Sequence, residues 1–261
     1  MRPKIAIPQP HSRDPEHVAK AFPQYCRAIE IAGGEPVEVP LQLANHRIAR
    51  LATICAGILL PGSSADVDPE RYGALRHPRT TPEDPARANA DELLLQDAHN
   101  MRKPLLGICF GLQSLNVWRS GTLRQHLEGP VQHVGTAQEP ALSHPVTVAP
   151  DSRLAAILGV GSTGRNPALL TVNSSHHQAA EAVGDGLRAV AWCPEDSVIE
   201  ALEGIVSNHW VVAVQWHPER MTEDLAALGL FRAFVDAAGE RRTHPRNATL
   251  DFESTAARRG E

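Results

Sequence analysis

A chain of 261 residues, 42% hydrophobic and 21% charged, holds enough material for one large α/β domain or two small ones. Its formal net charge of −5 gives no electrostatic reason to expect nucleic acid or an anionic membrane as partner, and no apolar run approaches the roughly 20 residues a bilayer span needs. Pro8 and Pro10 stand where a signal peptide would need its apolar core, so a cytoplasmic location is expected.

In chain order, KIAIPQ reads as a short first strand. AKAFPQYCRAIEIAGG reads as a helix closed by Gly33-Gly34, and PVEV as a second strand. CAGILLPG is an apolar run stopped by Pro-Gly, the pattern of a buried strand entering a loop. The loop from Ser63 to Arg87 is long, polar and proline-rich, and loops of that length are often functional. ANADELLLQDAHNMRK is an amphipathic helix leading into the strand PLLGI. Strands alternating with helices in this way predict a parallel sheet covered on both faces. Beyond about Gly129 the texture changes to shorter strands, HPVTVAP, ALLTVNS, GLRAVAWC, SVIEALEG and WVVAVQW, with some antiparallel pairs expected. A closing helix follows over MTEDLAALGLFRAFVDAAG, with Leu225, Leu228, Phe231, Phe234 and Val235 at helical spacing. These elements predict one domain over residues 1–239 and a polar, disordered tail over 240–261.

Chemistry concentrates in KPLLGICFGLQSLN. GICFG has the form G-x-C-x-G, the thiol counterpart of the G-x-S-x-G elbow in which a sharp strand-to-helix turn exposes a nucleophile. Cys109 would then stand at a helix N-terminus, where the dipole favours a thiolate. A buried structural cysteine in a Gly-bounded turn is the competing reading of this stretch. A second segment, VVAVQWHPERM, puts His217 just after a strongly apolar strand, with Glu219 two residues on. Cysteine, histidine and acid fit a nucleophile, a base and a group orienting the base. Cys26, Cys55 and Cys193 read as small buried apolar residues. No CxxC pair, no G-x-x-x-x-G-K-[ST] loop and 13 histidines mostly scattered along the chain lead to the expectation of no metal and no cofactor.

Through those two segments the chain resembles the class I glutamine amidotransferase-like superfamily, in its peptidase C26 branch of γ-glutamyl hydrolases. YCRAIEIAGGEPVEVP, GILLPGSSADVDPERYG, SGTLRQHL, SHPVTV and VNSSHHQAA match that branch in order, over about Lys4 to Ala237. Within that branch the chain is similar to the γ-glutamyl-γ-aminobutyrate hydrolases, enzymes of putrescine degradation. The resemblance implies a flavodoxin-like three-layer α/β sandwich with a central, mostly parallel sheet, a nucleophile elbow and some extra antiparallel strands. It implies Cys109 as nucleophile, His217 as general base and acid, and Glu219 as the residue orienting His217. The oxyanion would be held by backbone N–H groups of Phe110 and of the Pro61-Gly62-Ser63 turn, Ser63 foremost and Gly62 beside it. Gln113, Ser175, His176 and Gln178 would face the substrate. The implied reaction is cleavage of the γ-glutamyl amide of a small amine through a cysteine thioester, with no cofactor, nucleic acid or membrane involved and homodimerisation left open.

Three positions depart from that branch. Phe110 replaces an arginine, Gly62-Ser63 replaces Gly-Gly, and Trp118-Arg119-Ser120-Gly121 replaces a segment ending in Gly-Gly. Phe110 leaves the amine half of the substrate open, Ser63 still supplies its N–H to a tighter oxyanion hole, and the third change bears on the loop entering the site. Two other readings remain, a glutaminase subunit passing ammonia to a separate synthase and a silent binding protein on the same fold.

Overall fold

The computed structural model describes residues 1–135, 142–160 and 168–243. Among them lies one nine-stranded sheet with helices on both faces. Strands β1 (Lys4–Pro8), β2 (Glu35–Val39), β3 (Gly57–Leu60), β4 (Leu105–Ile108) and β11 (Val211–Val214) form a parallel block in the order β2-β1-β3-β4-β11. Beyond β11 the sheet continues antiparallel through β10 (Ile199–Gly204), β9 (Leu187–Trp192), β6 (Leu142–Val148) and β7 (Ala168–Ser174). Short strands β5 (Leu123–Arg124) and β8 (Ala179–Ala180) pair separately. This is the expected α/β architecture, a parallel sheet with antiparallel additions.

The helices follow from local signals. Helix α1 (Pro15–Ile31) begins where Asp14 accepts the His17 N–H at 3.0 Å and Pro15 takes the first turn, four residues before the segment read from the sequence. Helix α3 (Pro85–Met101) repeats the device with Asp84 and Pro85. Helix α2 (Asn45–Ile54) was not legible in the sequence, since it buries only Ile48 and Ala52 and has no side-chain cap. Two further helices are α4 (Phe110–Trp118) and the short α5 (Arg153–Ile157). The closing helix α6 runs over Leu225–Thr243, starting where Asp224 caps the N–H groups of Ala226 and Ala227. It passes the expected domain boundary at Glu240; the remainder of the expected tail, 244–261, lies outside the described residues. Leu225 also differs from expectation, being exposed on the first turn, where the helix has not yet reached the sheet.

Alternation along the strands builds two cores. Ile5, Ile7, Leu59, Leu106 and Ile108 face α1 and α6, where Phe231 and Phe234 are fully buried. Truncating either phenylalanine would cost about 3–5 kcal/mol. Ala6, Ile58, Leu60 and Leu105 face α2, α3 and α4 on the other side. The sheet therefore holds the ends of β3, β4 and β11 side by side at their carboxyl edge, where ligands bind in open parallel sheets. Among the described residues, no helix is long and apolar enough to cross a membrane.

Candidate active site

Each of these three strands ends in one of the segments singled out in the sequence. After Leu60 comes Pro61-Gly62-Ser63; after Ile108 comes Cys109; after Val214 the chain reaches His217. The Cys109 N–H donates to the Val214 carbonyl at 2.8 Å, tying the elbow to the strand that carries the histidine. Cys109 is the N-cap of α4 at φ 52° and ψ −106°, a strained conformation costing on the order of 1–3 kcal/mol.

The flanking glycines make this turn possible. A Cβ on Gly111 would collide with the Leu60 carbonyl oxygen, and one on Gly107 would stand 2.9 Å from the Gly111 carbonyl oxygen. Strand β3, strand β4 and the first turn of α4 are packed backbone to backbone, so the cysteine sits between glycines because no side chain fits beside it.

Cys109, His217 and Glu219 are brought together and all are buried. His217 Nδ1–H donates to Glu219 Oε1 at 2.7 Å, and the ring lies against Cys109, whose sulfur interacts with it electrostatically. Because Nδ1 carries the proton shared with the carboxylate, Nε2 is left for the sulfur. Asn173 brackets the histidine's backbone, its Oδ1 accepting the His217 N–H and its Nδ2 donating to the His217 carbonyl, both at 2.8 Å. Burial pushes the imidazole down, but Glu219 and the facing Cys109 outweigh it and hold His217 up at about 9.

That balance predicts a titration. Replacing Cys109 with alanine removes the sulfur's share, so the His217 pKa falls below about 9 toward the ordinary histidine range. The sign follows from the raised value. Stability from the charged ring is complete below an unfolded-state pKa of about 6.5 and is lost as pH rises through about 9. Ring-proton NMR of wild type and Cys109→Ala measures both values; superimposable titrations would disprove the coupling.

The Pro61-Gly62-Ser63 turn approaches from the side. The Gly62 N–H donates to Tyr25 Oη at 3.0 Å, so Gly62 is not available as an oxyanion donor and that expectation is corrected. What Gly62 supplies is space: a Cβ there would meet His217 Cε1 at 3.2 Å and Cys109 Cβ at 3.7 Å. The turn is fixed from beneath by Arg87, fully buried, whose Nη2 donates to the Pro61 carbonyl at 2.6 Å. Its Nη1 donates to the carbonyls of Gly62 at 3.3 Å and Pro10 at 3.1 Å, and its Nε pairs with Asp91 at 2.7 Å. The same guanidinium lies 4.9 Å from the centre of the Phe110 ring. Neither Tyr25 nor Arg87 carried a signal in the sequence, because each acts through a backbone group far away along the chain.

A cleft of about 270 Å³ opens over Cys109 and His217. Its walls come from α1, the long loop after β3 and the NSSHHQ segment after β7. Gln113, Ser175, His176 and Gln178 all border it, as expected, but their polar atoms are used differently. Gln113 Nε2 donates to the Gln178 carbonyl at 3.0 Å and to Gln215 Oε1 at 3.2 Å, bracing the loop from inside. His176 turns its ring inward, with Nδ1 on the Gln178 carbonyl at 3.0 Å and Nε2 toward Glu200 at 3.6 Å. Both ring nitrogens thus face protein groups, Nε2 at a separation longer than a hydrogen bond. Its neighbour His177 faces Asp66 across the cleft at 3.1 Å, an acid that no pattern in the sequence marks out. Gln178 Nε2 donates to the Gln125 carbonyl while its Oε1 has no hydrogen-bond partner among the described residues.

A cysteine on a strained strand-to-helix elbow, beside a histidine that is hydrogen-bonded to a glutamate, is the arrangement of thiol-nucleophile acyl-transfer enzymes. The chain belongs to the peptidase C26 family, whose sequence model matches residues 7–219. A provisionally named glutamine amidotransferase of Mycobacterium tuberculosis is 38% identical over 216 residues, covering 82% of this chain and 66% of its own length. A γ-glutamyl-γ-aminobutyrate hydrolase of Escherichia coli K12 is 32% identical over 248 residues, covering 90% of this chain and 93% of its own. The crystal structure of a Thermoplasma acidophilum protein, provisionally named as one of the subunits of GMP synthase, shares the fold at TM-score 0.63 and 15% identity, covering 93% of this chain and 97% of its own. Family and relatives together support a hydrolase.

Proposed function

We propose that the protein hydrolyses the γ-glutamyl amide bond of a small γ-glutamyl amine, with Cys109 as nucleophile. The observation that carries this reading is the row Cys109–His217–Glu219 at the floor of a cleft. The sulfur attacks the δ-carbonyl, and the C–N bond breaks as His217 gives its proton to the departing amine. Water, deprotonated by His217, then cleaves the thioester to release glutamate and regenerate the thiol. The oxyanion is held by the N–H groups of Phe110, in the first turn of α4, and Ser63, beside the bonded Gly62. The cleft also offers both charges needed by an α-amino acid head, Asp66 for the ammonium and Arg220 for the carboxylate.

The test is product release from glutamine, γ-glutamyl-γ-aminobutyrate, γ-glutamyl-putrescine and a γ-glutamyl-glutamate chain. Turnover of a γ-glutamyl amine well above glutamine is the expected result. Slow release of ammonia from glutamine alone would favour a glutaminase awaiting a synthase, and no turnover by folded protein would refute the hydrolase.

A further inference from the structure

Histidines 133, 144 and 176 are far apart along the chain, yet they meet Glu200 in the interior beside the cleft. His133 precedes β6, His144 lies on β6, His176 follows β7 and Glu200 lies on β10. All four are buried, and one ligand atom from each lies within 4.8 Å of the others. His144 Nε2, His176 Nε2 and His133 Nδ1 stand 3.5, 3.6 and 3.7 Å from the same oxygen, Glu200 Oε1. These separations are too long for hydrogen bonds. Both Glu200 oxygens, His144 Nε2 and His176 Nε2 have no hydrogen-bond partner among the described residues.

The outer nitrogens show which tautomers are present. His144 Nδ1 faces the Pro145 carbonyl at 3.1 Å, and His176 Nδ1 the Gln178 carbonyl at 3.0 Å. His133 Nε2 faces the Asp196 carboxylate at 2.8 Å. Carbonyls and carboxylates only accept, so each of these nitrogens carries the ring proton. Ser174 Oγ, 3.4 Å from His133 Nδ1, donates instead to the His133 carbonyl at 3.0 Å. Three imidazole lone pairs therefore converge on the Glu200 carboxyl group, each farther from it than a hydrogen bond. Acceptors gathered in a dry interior without a cation are strongly unfavourable.

We propose that His133, His144, His176 and Glu200 form a closed structural site for a divalent transition metal, zinc by preference. A tetrahedral ion with bonds of about 2.0–2.1 Å sets neighbouring ligand atoms about 3.4 Å apart, close to the 3.5–3.7 Å between each ring nitrogen and Glu200 Oε1. Nitrogen and carboxylate donors suit zinc, and a carbonyl or carboxylate behind each ring is the outer support that metal-bound histidines use. One glutamate and the Asp196 carboxylate behind His133 together balance the ion's two charges. With four protein ligands, all buried, the site has no position for a reacting water; it clamps. It ties β6 and β10 to the segment that goes on through His177 and Gln178 to wall the cleft. The clamp stands independently of which amide the protein cleaves.

Metal analysis of the full chain purified without chelator is expected to find about one zinc per chain. Stripping with chelator should lower Tm, and zinc should restore it. Cobalt(II) added to stripped protein should give the intense visible bands of a tetrahedral nitrogen–oxygen site. In Glu200→Gln and His144→Ala the metal content should fall at least tenfold and the response of Tm to zinc should vanish. The wild-type reconstitution decides the matter even if a variant fails to fold. Stripped wild type that binds neither zinc nor cobalt overturns the site. So do cobalt–thiolate bands, which would place the ion among His133, Cys193 and Asp196 instead.

Discussion

Cys109→Ala lowers kcat/KM for amide hydrolysis by about 10⁴-fold or more, with the folded structure and Tm little changed. The rate falls because the substitution removes the thiol that stands at the elbow, against His217 and beneath the cleft. Stability holds because alanine occupies the same backbone as cysteine and leaves a gap of only one sulfur atom. Steady-state kinetics on the best substrate of the γ-glutamyl panel, with thermal unfolding of the same samples, measures both. Retention of more than a tenth of the wild-type rate would remove Cys109 as nucleophile. A second signature separates a lost nucleophile from a distorted cleft: mass spectrometry under acid quench should trap a γ-glutamyl adduct on wild type and none on the variant.

Arg87→Met destabilises the fold by about 3–5 kcal/mol, the usual cost of breaking a buried ion pair by removing one partner. The guanidinium is wholly buried, and its loss orphans the carbonyls of Pro10, Pro61 and Gly62 as well as Asp91. Burial already pushes the Asp91 carboxyl up despite Arg87 beside it, so an unpaired Asp91 becomes a buried acid. The companion Arg87→Met with Asp91→Leu should recover part of the loss, since the orphaned charge is then gone too. The carbonyls of the Pro61-Gly62 turn stay unpaired in both, so the rate should fall in both. Urea unfolding of the single and double variants separates these contributions; a single variant within about 1 kcal/mol of wild type would mean that the arginine's bonds are replaced by water. A rate unchanged in folded Arg87→Met would show that the turn holds its shape without it.

Much of the site could be read along the chain, for a physical reason. A nucleophile elbow needs its glycines within two residues of the cysteine, because the clash they avoid is with the next turn and the neighbouring strand. The histidine and its carboxylate, two residues apart, likewise form a local pair at a strand end. Apolar runs without alternation showed that β3, β4 and β11 are buried on both faces. Helix α2 escaped because it is short and has no side-chain cap to mark its start, and the apolar pattern starts α1 and α3 late because their Asp-Pro caps lie outside it.

Local order along the chain was enough for the fold class, the elbow, the residues at the floor of the cleft and the family, because each rests on neighbours within a few residues or on the period of a strand or helix. What surrounds them was settled in three dimensions. Folding gave the Gly62 amide to Tyr25, set Arg87 under the Pro61-Gly62-Ser63 turn and turned His176 inward while His177 faces the cleft. It also gathered three histidines and a glutamate, scattered along the chain, into one buried cluster. Such contacts join residues tens of positions apart, and their partners are chosen by strand order and register, which no local pattern encodes.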